Sequence, residues 1–217
     1  RVGGAARGRG EKRGRQGGVE AETISEFSSK VKQRLLLPED DLTEVVPQSH
    51  LKFFSGVYKG YEEILRQSRL LDFDDLILRT VKLLETDDAI LEKYRERFGF
   101  IFVDEYQDIN YAQYRLVRLL APGDKHISVI GDPDQAIYGF RGADVGHVRH
   151  FEEDYAPVRV ITLTRNYRST KTILDASWQV IRHRGGTDTG LGVLGSRLFS
   201  RLTGAPHVAV VEMPSEK

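Results

Sequence analysis

Three short polar clusters in this sequence have residue types suited to phosphate and metal chemistry. The first begins with the carboxylates of Asp104 and Glu105, the second spans residues 131–135, and the third spans residues 166–168. Two adjacent carboxylates after a buried strand suit Mg²⁺-dependent phosphoryl transfer, because one can hold the metal while its neighbour polarises the attacking water. For a bare Asp-Glu pair, the alternative is a solvated strand end or a pair that caps a helix.

Each cluster follows a short apolar segment that predicts a β-strand. Residues 100–103 and 127–130 are apolar without alternation, which is typical of strands buried on both faces, and residues 158–163 predict a third strand. Helical patterns separate these segments, so we expect an α/β fold with a parallel sheet. Ligands of open parallel sheets bind at the carboxyl ends of the strands, which is where the three clusters lie.

The N-terminal half of the chain has the periodicity of helices. Apolar residues recur at spacings of three and four from 20 to 37 and again from 48 to 98, and carboxylates at 72–75 suit a helix N-terminus. Residues 1–18 differ, because they hold six basic residues, seven glycines and one glutamate. This composition predicts a disordered segment or a loop that could touch nucleic acid.

Length and composition limit the number of domains and exclude several kinds of site. The 217 residues suit one sizeable domain or two small ones, and the absence of cysteine excludes disulfides, thiolate zinc sites and a cysteine nucleophile. There is no apolar run of about 18 residues and no apolar signal-peptide core, so we expect no membrane span and a cytoplasmic location. Formal net charge is zero.

Taken together, the clusters resemble motifs II, III and IV of the UvrD/Rep/PcrA-type superfamily 1 DNA helicases. A further stretch resembles one that this family carries upstream of motif II. The resemblance runs from about residue 70 to 182, and it implies a partial RecA-like (P-loop NTPase) parallel sheet with a helical N-terminal insertion region. The matching stretches are DFDDL at 72–76, VDEYQD at 103–108, GDPDQAIYGFRGA at 131–143 and NYRS at 166–169.

The resemblance implies a site for ATP and Mg²⁺. Asp104 would coordinate Mg²⁺ as the Walker B carboxylate, and Glu105 would be the general base that activates water for ATP hydrolysis. Gln135 would sense the γ-phosphate and link it to DNA. Tyr167 would stack on the adenine, and Arg168 would place its guanidinium on the γ-phosphate.

The resemblance also implies a surface for single-stranded and duplex DNA. Tyr138 and Phe140 would offer ring faces to bases, and Arg141 would contact DNA phosphate or take part in coupling. Family members often have Trp where this chain has Phe140. The alternative for both aromatic residues is core packing.

Two expected features of such a motor are missing from the sequence. No G-x-x-x-x-G-K-[ST] phosphate loop occurs, and the motifs expected near the family's C-terminus are absent. We therefore expect an internal fragment of a helicase that is inactive alone, monomeric or forming artefactual oligomers through exposed apolar surface. The expected divisions are a disordered Gly/Arg-rich segment at 1–18, a helical 1B-like region at 19–70, the second half of the first RecA-like domain (1A) at 71–168, and the start of the second (2A) at 169–217.

Other interpretations stay open at this point. The chain could be the helicase part of a RecB/AddA-type helicase-nuclease, or a helicase relative that binds DNA without hydrolysis. His147 and His150 could share a metal, but a solvated helix face is the expectation for both. Gly190, Gly192 and Gly195 match a dinucleotide fingerprint, but no strand precedes them, so we expect a loop.

Overall fold

The structure is a computed structural model that describes residues 21–123, 126–139, 142–181 and 198–200. The chain divides into two compact units. Within the described ranges, the first contains residues 21–32 and 36–71, and the second contains residues 33–35 and the described residues from 72 onward. None of the helices in the described ranges is both long and apolar enough to cross a membrane.

The first unit is built from two helices, as the periodicity predicts. They are α1 (Ala21–Gln33) and α2 (Leu51–Ser68). The hydroxyl of Tyr58 donates a hydrogen bond to the carbonyl oxygen of Leu36 over 2.9 Å, so the largest side chain of the unit's core has its polar end satisfied. The core consists of Phe27, Val31, Leu42, Val46 and Tyr58.

Helices α3 (Phe73–Thr86) and α4 (Asp88–Arg97) begin the second unit. The predicted carboxylate cap is present at the start of α3. The side chain of Asp72 accepts from the amide of Asp75 over 2.8 Å, and the Asp75 carboxylate accepts from the amide of Asp72 over 3.3 Å. This reciprocal pair satisfies two amides that the helix cannot bond internally.

Two parallel strands lie next in the second unit, and they are β1 (Phe100–Val103) and β2 (His126–Val129). The helix α5 (Tyr111–Leu120) connects them and begins at a second capping box. The α/β class and the parallel pairing are therefore confirmed for these two strands. Helices α6 (Gly146–Tyr155) and α7 (Lys171–Ile181) follow.

Described residues cover only one face of the two-stranded sheet. Phe100 and Phe102 on the other face are 69% and 72% exposed. The prediction of strands buried on both faces is thus wrong for the described part of the chain, because no described element packs on that side. The covered face rests on a core of Tyr106, Ile109, Ala121, Val148, Phe151 and Tyr155.

The predicted third strand at 158–163 is also wrong. These residues form no strand, and one parallel bridge joins Arg165 to Phe199 just beyond them. A strand needs a neighbour to bond its backbone amides and carbonyls, and described residues supply such a neighbour only around Phe199. The glycine fingerprint at 190–195 lies outside the described residues.

His147 does not lie on a solvated helix face, which corrects the expectation for this residue. It is 6% exposed, and its ring stacks on Tyr114 with a centroid distance of 4.4 Å and an interplanar angle of 5°. Burial lowers the pKa of His147. His150 is exposed, and within the described ranges no group of three ligands for a metal includes either histidine.

The buried histidine gives a testable pH dependence of stability. Because the folded-state pKa lies below the ordinary 6.5, the unfolded chain binds more protons between the two values, and the free energy of unfolding falls as pH drops below about 6.5. Asp144 and Asp154 oppose this effect and His150 adds to it. His147→Phe, which keeps a ring against Tyr114, should flatten the dependence in urea unfolding at pH 7.5 and 5.5.

The matched control for this measurement is His150→Gln, which removes an exposed imidazole from the same helix. It should keep most of the pH dependence of the unaltered chain. Equal pH dependence in the unaltered chain and in His147→Phe would mean that protonation of His147 does not govern acid stability.

Candidate functional site

The first two polar clusters meet at the carboxyl edge of the two strands. Val103 pairs with Val129 at the end of the parallel register. Backbone pairing then continues past the strands, because the Ile130 amide donates to the Val103 carbonyl over 2.8 Å and the Tyr106 amide donates to the Ile130 carbonyl over 2.9 Å. This places the residues that follow Val103 beside those that follow Val129.

The carboxylates of Asp104 and Glu105 are exposed at this edge. One oxygen of Asp104, Oδ1, accepts from the amide of Glu105 over 2.9 Å. The backbone of Glu105 is left-handed, with φ 50° and ψ 45°. Non-glycine residues rarely adopt this conformation, and a strained backbone of this kind costs about 1–3 kcal/mol. Surrounding contacts must therefore hold the turn in place.

Gln107 supplies such contacts, although sequence reasoning assigned it no role. Its side chain is buried after the strained turn and bonds to both clusters. The Nε2 group donates to Oε2 of Glu105 over 2.7 Å, and Oε1 accepts from the amide of Asp132 over 3.0 Å. The sequence offers one signal for this role, which is that Gln107 is an amide residue among acidic residues. That signal does not distinguish a buried glutamine from one on the surface.

The second cluster forms a short 3-10 helix at Pro133–Gln135, and the side chain of Asp132 caps it. One oxygen of Asp132 accepts from the amide of Asp134 over 3.0 Å, and the other accepts from Nε2 of Gln135 over 2.6 Å. The side chain of Gln135 is exposed but held by this bond. Asp104, Glu105 and Gln135 thus belong to two loops joined through Gln107 and Asp132.

Gly131 leaves the room that this junction needs. A Cβ atom built on Gly131 would lie 2.8 Å from Oε1 of Gln107 and 3.4 Å from the backbone nitrogens of Tyr106 and Gln107. Gly131→Ala should therefore lower the free energy of unfolding by about 1–3 kcal/mol, which chemical denaturation of the 217-residue chain can measure.

The control for Gly131→Ala is Gly99→Ala, because a Cβ on Gly99 would meet no atom within 4 Å. That variant should unfold within about 0.5 kcal/mol of the unaltered chain, as surface substitutions generally do. Equal stability of the two variants would contradict the tight contact at Gly131.

The third cluster forms its own turn. Oδ1 of Asn166 accepts from the amides of Arg168 and Ser169 over 2.9 and 2.7 Å, which is an Asx-type turn ahead of α7. Tyr167 is 74% exposed, and the guanidinium of Arg165 lies 4.9 Å from the centroid of its ring. Among the described residues, no hydrogen bond or ion pair joins Arg168 to Asp104 or Glu105, so the contacts do not bring this cluster to the other two.

Of the three predicted DNA-contacting residues, Tyr138 alone is described. Its side chain is 38% exposed, so it is at the surface rather than in the core. Its carbonyl oxygen accepts from the amide of Ala143 over 3.3 Å. Phe140 and Arg141 lie outside the described residues.

The Asp104 carboxylate at the strand edge fits a hard divalent cation. Its Oδ2 makes no hydrogen bond with any described residue, and the side chain is exposed. Carboxylate oxygens are the ligands that Mg²⁺ takes in proteins, and Mg²⁺ keeps several waters that an exposed edge admits.

A family model and curated relatives both match this chain, and both are helicases. The model of the UvrD/REP helicase N-terminal domain matches residues 8–156. Two similar curated relatives are the ATP-dependent DNA helicase PcrA of Staphylococcus epidermidis, 49% identical over 155 residues, and that of Staphylococcus aureus, 47% identical over 155 residues. These alignments cover 71% of this chain and 21% of each relative, so the chain spans about a fifth of the length of the curated relatives it matches.

Proposed function

This chain belongs to the UvrD/REP helicase N-terminal domain family, and we propose that it is part of an ATP-dependent DNA helicase. That longer protein would couple hydrolysis of Mg²⁺-bound ATP to translocation on single-stranded DNA and to duplex unwinding. The main structural support for this proposal is that two polar loops meet at the carboxyl edge of a parallel strand pair. The names of the PcrA relatives, which are ATP-dependent DNA helicases, support the same activity.

In this proposal, Asp104 holds Mg²⁺ and Glu105 is the general base. Bound Mg²⁺ would neutralise charge on the phosphates of ATP. Glu105 has one oxygen engaged by Gln107, while Oε1 has no hydrogen bond to a described residue and is available to take the proton of an attacking water. The exposure of both carboxylates supports access by nucleotide and water.

The remaining nucleotide contacts are assigned to the second and third clusters. Gln135, held by Asp132, would sense the γ-phosphate. Tyr167 would stack on the adenine, and its exposed ring supports that role. Arg168 would bring a fixed positive charge to the γ-phosphate, where it offsets the charge that develops in the transition state.

The proposed domain organisation follows the family. We assign residues 19–70 to a 1B-like helical region, 71–168 to the second half of domain 1A and 169–217 to the start of domain 2A, after the Gly/Arg-rich segment 1–18. The division of the chain into compact units after Leu71 supports the first of these boundaries. The two parallel strands would then be part of a larger RecA-like sheet. A cytoplasmic location stays a prediction.

DNA contact is assigned to the segment after the second cluster. Tyr138 and Phe140 would stack on bases, and Arg141 would contact a phosphate or take part in coupling. Stacking of a base on an aromatic ring contributes about 1–3 kcal/mol and does not depend on sequence, which suits a motor that moves along any strand. The surface position of Tyr138 supports this assignment.

The proposal is tested by ATP hydrolysis with and without single-stranded DNA, for the longer protein and for this chain alone. We expect DNA-stimulated hydrolysis by the longer protein and none by the chain, because the chain's sequence contains no phosphate loop. Hydrolysis by the isolated chain would contradict the proposed division of the site. A longer protein that hydrolyses no ATP would contradict the proposed helicase function.

A further inference from the structure

We propose that Gln107 is a positioning residue that sets the orientation of the Glu105 carboxylate and couples it to the loop that carries Gln135. This inference rests on the proposed function, because it concerns the same hydrolytic site. It assigns a role to a side chain that touches neither nucleotide nor DNA in the proposal.

The side chain of Gln107 has the donor and acceptor arrangement that its partners require. Besides its bonds to Glu105 and Asp132, its Nε2 group donates to Oδ2 of Asp108 over 3.4 Å. It is 1% exposed, so its polar atoms depend on protein partners. Glu105 offers a carboxylate oxygen, which only accepts, and Asp132 offers a backbone amide, which only donates. The Glu105 oxygen and the Asp132 amide therefore define which end of the Gln107 amide is nitrogen. A carboxylate or an apolar side chain at this position cannot satisfy both.

The bond from Gln107 restricts a carboxylate that is otherwise exposed. Glu105 has three side-chain torsions and lies in a left-handed turn at the surface. Fixing Oε2 at 2.7 Å from Nε2 of Gln107 leaves Oε1 in one direction rather than many. A general base must lie within hydrogen-bond reach of the proton it takes, so the loss of this restraint lowers the fraction of productive orientations.

The same side chain connects Glu105 to Gln135 through one intermediate residue. Gln107 accepts from the amide of Asp132, and the carboxylate of Asp132 accepts from the side chain of Gln135 over 2.6 Å. The absence of a side chain on Gly131 allows Gln107 to approach this loop closely. A displacement of Gln135 therefore changes the position of the Asp132 amide and, through Gln107, that of Glu105.

The test compares ATP hydrolysis by the longer protein and by its Gln107→Leu variant, each with and without single-stranded DNA. We expect kcat to fall about 10- to 100-fold with KM for ATP within about threefold, because orientation rather than nucleotide binding is lost. The stimulation by DNA should fall as well, because the link to Gln135 is broken. The matched control is Gln67→Leu, which removes a glutamine that also donates to a glutamate over 2.7 Å, but on the surface of α2.

A second variant gives a readout that a merely structural role would not change. Gln107→Glu keeps the size of the side chain but faces Glu105 with a second acceptor at neutral pH. Its kcat relative to the unaltered protein should rise as pH falls from 8 to 6, because a protonated carboxyl at position 107 can donate again. If Gln107→Leu does not fold, the pH dependence of Gln107→Glu alone tests whether Gln107 positions Glu105.

The outcomes separate this inference from the proposed function. The positioning role alone is overturned if the unaltered protein is active, the kcat of Gln107→Leu is within twofold of its kcat, and Gln107→Glu shows no pH-dependent recovery. An equal loss of kcat in Gln67→Leu also overturns it. A longer protein without any ATP hydrolysis overturns the proposed function, and the positioning role with it.

Discussion

Glu105→Gln in the longer protein should reduce DNA-stimulated ATP hydrolysis by about 10²–10⁴-fold, the contribution typical of a general base. The amide oxygen at position 105 can still accept from Nε2 of Gln107, so the turn should keep its geometry. What is lost is the ability to take a proton from water. Nucleotide binding should change little, because the proposed role of Glu105 is in the chemical step.

Two measurements check this expectation. Steady-state hydrolysis reports the loss of turnover, and titration with a fluorescent ATP analogue reports binding. Glu96→Gln is the matched control. Glu96 is also an exposed glutamate, but it lies on α4, which precedes β1 in the sequence. Near-normal turnover by Glu105→Gln would remove Glu105 from the role of general base.

Arg168→Ala should reduce hydrolysis by about 10³-fold, as the removal of an arginine from a γ-phosphate does in other phosphoryl-transfer enzymes. The structure gives Arg168 an exposed side chain, while its backbone amide is held by Asn166. The turn should therefore survive the substitution, since the bond to Asn166 involves the backbone. Unfolding midpoints of the variant and the unaltered chain should agree within error.

Arg168→Lys separates charge from geometry. Lysine keeps the positive charge but loses the planar fork that bonds to two phosphate oxygens, so we expect activity between that of Arg168→Ala and that of the unaltered protein. Arg159→Ala, at an exposed arginine outside the third cluster, is the control and should retain full turnover. Full activity in Arg168→Ala would contradict the assignment of this residue to the γ-phosphate.

Local sequence patterns were sufficient where the physical cause is local. The capping pair of Asp72 and Asp75 and the strand Phe100–Val103 both agree with the pattern that predicts them. Each depends on contacts within a few residues or on the apolar character of a short run. The family was also identifiable from four short stretches, because their order and spacing are specific.

Predictions that depended on distant partners were less successful. Residues 158–163 have the apolar character of a strand but lack a paired neighbour among the described residues. His147 is polar and is placed on a helix as expected, yet it is buried because Tyr114 covers its ring. In both cases the outcome depends on what lies opposite in space, which periodicity along the chain does not contain.

The sequence by itself determined the identity and order of the chemical groups, the two strands that precede the first two clusters, and the family. Only the tertiary structure decided which of those groups meet. Parallel pairing of Val103 with Val129 sets the two loops side by side, and the buried amide of Gln107 then bonds to one loop with its nitrogen and to the other with its oxygen. That contact spans 25 positions of the chain between Gln107 and Asp132, so it arises from the register of the strands rather than from local spacing.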